Sequence, residues 1–550
     1  MLESVLMLSL IGLPLFYWHQ NELSRMIPLI FIAGIAGIIT LVHGVNASWS
    51  IINDYGAISM LCFALWIMAS ITWTESSQSV YESYAFISLL FLSYLCRYAD
   101  PGVILGTIMV MGVAFSLPSI YYKLKKEKDL MKRHFIFGNQ VHNAAFTIIP
   151  LFISLWATIN ISPYFAIASL IMFANFWVNP SRGAIIGLAA GLFTTSTLMF
   201  GYWSLLSLIV VPILIFDHYC LKERDKKRRI GHFLSRFIYW TAAVQMIRRR
   251  YLYGHGLNMF RKLYPDINPS LFTNPKMVEL YKKTGGIERN TGHRPHNDLL
   301  DITVELGLIG LLIFCSIFYY INWSSIDPLF IGAFVAYAVM SMFFFPLREV
   351  HTSIGFWAFV GVLMGQGVTV PVTIDPVLGI VAIAIILRIL YATGVKFMGL
   401  YFFNRAMNPK LVSEREANIR AAVGCDPYRS RYLMYAFLFH VEKHPELAFE
   451  YSMRQLMHFD GGKVKWGVYD QFARAVMRYP SLNIAEAYVL KALRICPEYE
   501  RSKELLEFIE VQKKHVEKIQ NMEAVKRESA IASQKNKEHN QGGDLVAVGN

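Results

Sequence analysis

The string GHRPHNDLLDITVELGLIG, from Gly292 to Gly310, sets His296 and Asn297 at the mouth of an apolar run and buries Glu305 inside that run. An imidazole titrates around neutral pH, so His296 is able to take up or release a proton there. Glu305 lies nine residues beyond it, which on a helix rising ~1.5 Å per residue is about 13 Å deeper. An ionisable group at such a depth faces a partner or a wet cavity. Other groups able to bind anions or move protons stand at the ends of apolar segments: GNQVHN from Gly138, NPSRG from Asn179, YGHG from Tyr253 and REVH from Arg348. Guanidinium forks at Arg182, Arg294 and Arg348 match phosphate oxygens. Each residue also has a plain reading: Arg182 as an interfacial anchor whose charge snorkels to head groups, His296 as a surface histidine.

The elements that must position these groups are membrane helices. The 550-residue chain is 55% hydrophobic and 17% charged, with a mean hydropathy of +0.38, too apolar for an ordinary soluble protein. Apolar runs of near-spanning length recur at 4–18, 26–43, 51–72, 82–98, 102–121, 141–160, 162–178, 183–200, 202–217, 301–321, 327–345, 353–369 and 376–394, on the criterion of ~20 residues per span. The fold class expected is all-α: a polytopic body of about 12–13 transmembrane helices followed by a soluble helical domain. The first run lacks a basic n-region and a small-residue cleavage site and reads as a retained helix. Six scattered cysteines without C-x-x-C or zinc spacing indicate neither a disulfide framework nor a metal site.

The organisation expected is N-terminal membrane helices over 1–217, a long polar loop over 218–300, further membrane helices over 301–394, a soluble helical region over 405–515 and a disordered tail over 516–550. In the soluble region Pro427 and Pro497 are seventy residues apart, and Pro445 and Pro480 thirty-five, close to the ~34-residue tetratricopeptide period. Such stacks offer docking surfaces for a protein partner. The net charge of +13 concentrates in KLKKEKDLMKRH from Lys123, KERDKKRR from Lys222 and the triplet Arg248 to Arg250. Arg248 is a further candidate for an anionic substrate, although most of these charges read as a solvated face. No nucleic-acid-binding module accompanies them. The basic, loop-rich face is cytoplasmic by the positive-inside rule, unless its charges serve an anionic lipid substrate; charge counting leaves both orientations open.

The spacing His296-Asn297-x9-Gly307-x-x-Gly310 resembles the H-[NSQ]-x9-G-x-x-G motif that closes the large periplasmic loop in the O-antigen ligase and polymerase superfamily. SRGAIIGL from Ser181, the segment from Trp240 to Phe260 with its YGHGLNMF, and GNQVHNAAFTIIPL from Gly138 resemble that superfamily's other motifs in the same order. The resemblance spans about 138–370. Leu311 departs from the Thr of many ligases, and a soluble tail after the last helix is similar to that of the related protein O-oligosaccharyltransferases.

The resemblance implies an inner-membrane glycosyltransferase that moves a glycan from undecaprenyl diphosphate to a hydroxyl acceptor without cofactor or metal. It implies a periplasmic loop 218–300 and tail, with His296 and Glu305 as catalytic residues and Arg182, Arg294, Asn297, Arg248 and Arg348 as substrate contacts. The acceptor is lipid A-core, a pilin-like protein or the growing glycan itself. A transporter of anionic solutes is the reading from a different class; broken helices and paired internal repeats would favour it, and the sequence displays neither.

Overall fold

A computed structural model describes residues 6–7, 10–11, 34, 55–74, 79–125, 140–179, 181–201, 226–271, 294–365, 391, 394–408, 411–427, 430–441, 444–457, 465–477, 482–495 and 500–543. Among the described residues the protein is helical and holds no strand. The apolar runs expected at 26–43, 202–217 and 376–394, and nearly all of 4–18, lie outside them.

The chain divides into two compact units. The first, Met1–Tyr432 with His458–Lys463, holds the apolar helices. These are α1 (Tyr55–Ser70), α2 (Ser79–Cys96), α3 (Pro101–Leu124), α4 (Gln140–Asn160), α5 (Ala166–Val178) and α6 (Arg182–Phe200). Two more polar helices follow, α7 (Lys226–Arg249) and α8 (Met259–Leu271), then α9 (Asp298–Tyr319), α10 (Pro328–Ser341) and α11 (Val350–Gly365). Among the described residues four stretches, α3, α4, α6 and the one that begins with α9, are long and apolar enough to cross a membrane. Shorter apolar helices accompany them, and the protein is a membrane protein.

Packing in this body depends on small residues, because lipid offers apolar side chains no less contact than another helix does. Gly183, Gly187 and Gly191, four apart on α6, face α10. A Cβ at Gly187 would lie 2.4 Å from the Ala336 carbonyl oxygen, and one at Gly191 2.4 Å from that of Gly332. Across the body α2 packs on α11, α9 on α1 and α4 on α10, around an aromatic core of Phe63, Phe86, Phe314 and Trp357.

Helix Arg415–Cys425 (α12) belongs to the first unit. The second unit is Leu433–Met457 with Val464–Asn550, so the compact division falls later than the boundary expected near 405. It comprises most of α13 (Ser430–His440), then α14 (Pro445–Met457), α15 (Lys465–Val476), α16 (Leu482–Ile495) and α17 (Glu500–Gly543). Successive helices α14 to α17 pack on one another around Phe472, Val489, Leu505 and Ile509. Pro445 opens α14, where its missing N–H costs nothing. The tail differs from expectation: α17 runs to Gly543, past residue 516. Its Glu, Lys, Gln and Ala content has high helix propensity even where no core is present.

Candidate active site at the head of a broken helix

Helix α9 explains most of the motif that begins at His296. Asn297 is its N-cap: the backbone is extended and the side-chain oxygen accepts the Leu300 N–H at 3.0 Å. The helix then breaks at Gly307, whose φ of +73° is a left-handed conformation that glycine alone adopts without penalty.

A strap formed by residues 251–256, which follows α7, fills the break. His255 N donates to the Val304 carbonyl at 3.0 Å and Gly256 N to that of Glu305 at 2.7 Å. Trp66 of α1 donates its indole Nε1–H to the Leu306 carbonyl at 2.9 Å. In return Leu308 N and Ile309 N donate to the carbonyls of Tyr251 and Leu252 at 2.8 and 3.1 Å. The backbone groups released by the break are thereby re-satisfied, as membrane-depth backbone requires. The fit is backbone against backbone: a Cβ at Gly254 would meet the Glu305 carbonyl oxygen at 2.4 Å, and one at Gly307 the Leu252 oxygen at 2.2 Å. Gly310 sits against Trp66. Sequence reading saw no broken helix, because a glycine within an apolar run has the same composition whether it breaks the helix or packs it. The carbonyls at this break are taken by protein donors, which weakens the transporter reading.

Above the break, the first turns of α9 carry three carboxylates, Asp298, Asp301 and Glu305, all buried. Spacings of three and four residues place them on one face. Arg294 bonds Asp301 at 2.9 Å and Glu82 of α2 at 3.3 Å. Arg348, from the link between α10 and α11, bonds Glu305 at 2.7 Å and lies 3.9 Å from Asp301. Asp298 accepts the Leu347 N–H at 3.1 Å, which ties that link to the head of α9. Burial opposes the charge of Arg294, but Asp301 and Glu82 outweigh it and hold the guanidinium above its ordinary value. Arg348 is likewise raised: burial acts against its charge, and Glu305, Asp301 and Glu82 together more than compensate.

His296 stands at the head of this ladder. Its φ is +55°, a strained region for a residue with a Cβ, and such strain collects at functional sites. The ring stacks on Tyr239 of α7 at 5.7 Å between centroids and leans on Phe345 at 5.0 Å. Nδ1 is shut off from solvent, while the residue as a whole is half-buried. The Arg294 guanidinium covers the other part of Phe345 at 5.8 Å, and Phe344 meets His142 of α4 at 4.9 Å.

The structure therefore brings His296, Asn297, Arg294, Glu305 and Arg348 together. Glu305 and Arg348 meet each other, with side chains 1% and 2% exposed. Arg182 is half-buried at the first turn of α6, next to Gly183, which faces Phe343. Arg248 is exposed at the end of α7. The side chain of His351 lies outside the described residues. Glu82, Asp298 and Asp301 were passed over in the sequence. A signal was present: each is an acidic residue in the first turn of an apolar helix, but helix-dipole preference explains that position equally well.

A second polar assembly lies in α3, α4 and α5. Asn143 of GNQVHN donates to Ser119 at 2.7 Å, Asn175 to Asn143 at 3.0 Å, and Asn179 of NPSRG to Ser119 and Asn175, each at 2.9 Å. These asparagines lock the ends of three helices beside the start of α6, which carries Arg182.

Compared with known families, residues 145–315 match the model of the O-antigen ligase family. The match takes in α4 to α9, and with them Arg182, the strap and His296. Glu82, Arg348 and Glu349 lie outside it. A search of curated proteins found no match.

Proposed function

We propose, from the match of residues 145–315 to the O-antigen ligase family model, that this membrane protein is a glycosyltransferase that moves a glycan from undecaprenyl diphosphate to a hydroxyl of lipid A-core. The observation that carries the reading is His296, held in a strained backbone conformation between Tyr239 and Phe345, at the head of a helix braced by two arginine–carboxylate pairs.

In this proposal the Nε2 of His296 takes the proton of the acceptor hydroxyl as that oxygen attacks the anomeric carbon, and the glycan–diphosphate bond breaks. Arg182, on the helix next to Phe343, receives the departing diphosphate, and Arg248 at the end of α7 adds to the positive rim. Arg294 and Arg348 already bind carboxylates and are buried, so we assign them to bracing the site rather than to holding phosphate. Asn297 acts through its cap on α9. Glu305 acts through Arg348. No step in this scheme uses a metal or a cofactor.

The test is transfer in reconstituted vesicles. His296→Ala is expected to lose about 10²-fold or more in rate, the usual range for a removed general base, while inserting normally. Undiminished transfer by that variant would end the proposal. We also propose that the loop 218–300 faces the periplasm; a cysteine placed near Pro269 that is labelled only after the inner membrane is permeabilised would contradict this.

The helical second unit favours one alternative, an oligosaccharyltransferase whose acceptor is a pilin-like protein. Polymerisation of the glycan is the remaining alternative. Deleting the gene separates the three: lipid-linked glycan accumulates beside unmodified lipid A-core, beside unmodified pilin-like protein, or only as single repeat units.

A further inference from the structure

The end of the chain carries an unclaimed surface. Helix α17 packs into the second unit through Leu505 and Ile509 and is tied to α16 by Lys513 and Glu486 at 2.6 Å. Every residue from 514 to 533 is exposed, although the helix continues for several more turns. Along one side run Glu504, Phe508, Val511, His515, Ile519, Met522 and Lys526. Phe508, Val511, Ile519 and Met522 are 49%, 62%, 39% and 50% exposed. A polar helix of this length, open on all sides, gains nothing from packing, whereas an apolar stripe calls for a cover.

The order of the stripe says what would cover it. Its members are spaced 4, 3, 4, 4, 3 and 4 residues apart, so the pattern reads the same in both directions from His515. Two successive eleven-residue steps keep it on one side of a nearly straight helix. A second copy laid antiparallel sets Phe508 against Met522, Val511 against Ile519 and His515 against its own counterpart. Glu504 then meets Lys526 at both ends. A parallel copy would set Glu504 on Glu504 and Lys526 on Lys526, a like-charge register. An interfacial membrane helix needs basic flanks but no such symmetry.

We propose that residues 504–526 of α17 form an antiparallel two-helix interface with a second copy of this chain. The inference is independent of the reaction proposed above. Confinement of both chains to one membrane raises their effective concentration, so a short stripe suffices.

The experiment uses the full-length protein in detergent and in native membranes, with the unaltered chain as reference. In His515→Cys, two copies are joined in high yield by a short thiol cross-linker, and Met522→Cys alone gives little product. Mixing Phe508→Cys with Met522→Cys chains restores the yield. Phe508→Asp weakens self-association measured by mass about tenfold or more. Glu504→Lys and Lys526→Glu each weaken it about two- to fivefold, the range of exposed ion pairs, and the double exchange recovers the parental value. A monomer at all concentrations, self-coupling of Met522→Cys equal to that of His515→Cys, or adducts only with other proteins would each overturn the proposal.

Discussion

Two membrane helices use glycine for opposite purposes. In α6, Gly183, Gly187 and Gly191 keep helical geometry and let the backbone approach α10. In α9, Gly307 leaves helical geometry and lets a strap of backbone enter. The first arrangement makes a wall of backbone packed closely on backbone. The second re-aims half a helix, and that half carries three buried carboxylates, two of them matched to arginines. A helix that is only packed needs no strap, because its hydrogen-bond ladder is unbroken. A helix that presents charge at membrane depth needs both partners for its side chains and replacements for its lost backbone bonds.

That contrast can be broken most severely at the ladder. Arg348→Ala leaves Glu305 buried and uncompensated, with an expected loss of about 3–5 kcal/mol, read as a large fall in thermal stability in detergent together with loss of transfer. The double variant Arg348→Met with Glu305→Leu is expected to recover most of the stability but not the transfer. If it recovers both, the pair is scaffold only.

The break itself comes next. Gly307→Ala combines a left-handed φ with a Cβ 2.2 Å from the Leu252 oxygen, for about 1–3 kcal/mol of strain. The strap is expected to lift, so that a cysteine at His255, buried in the parent, gains reactivity towards a water-soluble thiol reagent while membrane insertion is kept. Unchanged reactivity would show that the strap does not depend on this glycine.

On the packed helix, Gly187→Ala presses against the Ala336 carbonyl and is expected to cost about 1–3 kcal/mol through overpacking. Here the strap stays as protected as in the parent, because this glycine faces α10 and not the break in α9. Comparable losses of stability with exposure of the strap in the Gly307 variant alone would establish the difference between the two helices. The smallest effect belongs to an exposed pair far from both: Arg420 and Glu416, 54% and 40% exposed at 2.6 Å. Its removal by Arg420→Ala should change the stability, measured by thermal unfolding in detergent, by no more than about 0.5 kcal/mol.

Much of this was legible in the chain itself. Apolar runs of spanning length marked α3, α4, α6 and α9, and Pro445 marked the start of α14. His296 and Asn297 stood out by spacing, and Arg348 by its place in a short link between two apolar runs. Glu82 could not be paired with Arg294, which is 212 residues distant along the chain, from any local pattern. Nor could Trp66, whose indole N–H donates to the Leu306 carbonyl 240 residues away.

The sequence by itself determined that this is a helical membrane protein with basic and acidic groups gathered at helix ends, since hydropathy and spacing are local properties that survive without any tertiary contact. Tertiary structure alone decided what those groups do to one another. Arg294 and Arg348 look like free anion clamps in a linear reading and become braces once folded, because the fold turns the head of α9 back on Arg294 through Asp301, brings Glu82 to it from 212 residues away and sets Arg348 on Glu305. Glu305 looked like a lone charge in an apolar run. Folding gave it Arg348, and the broken helix at Gly307 set the direction in which it points.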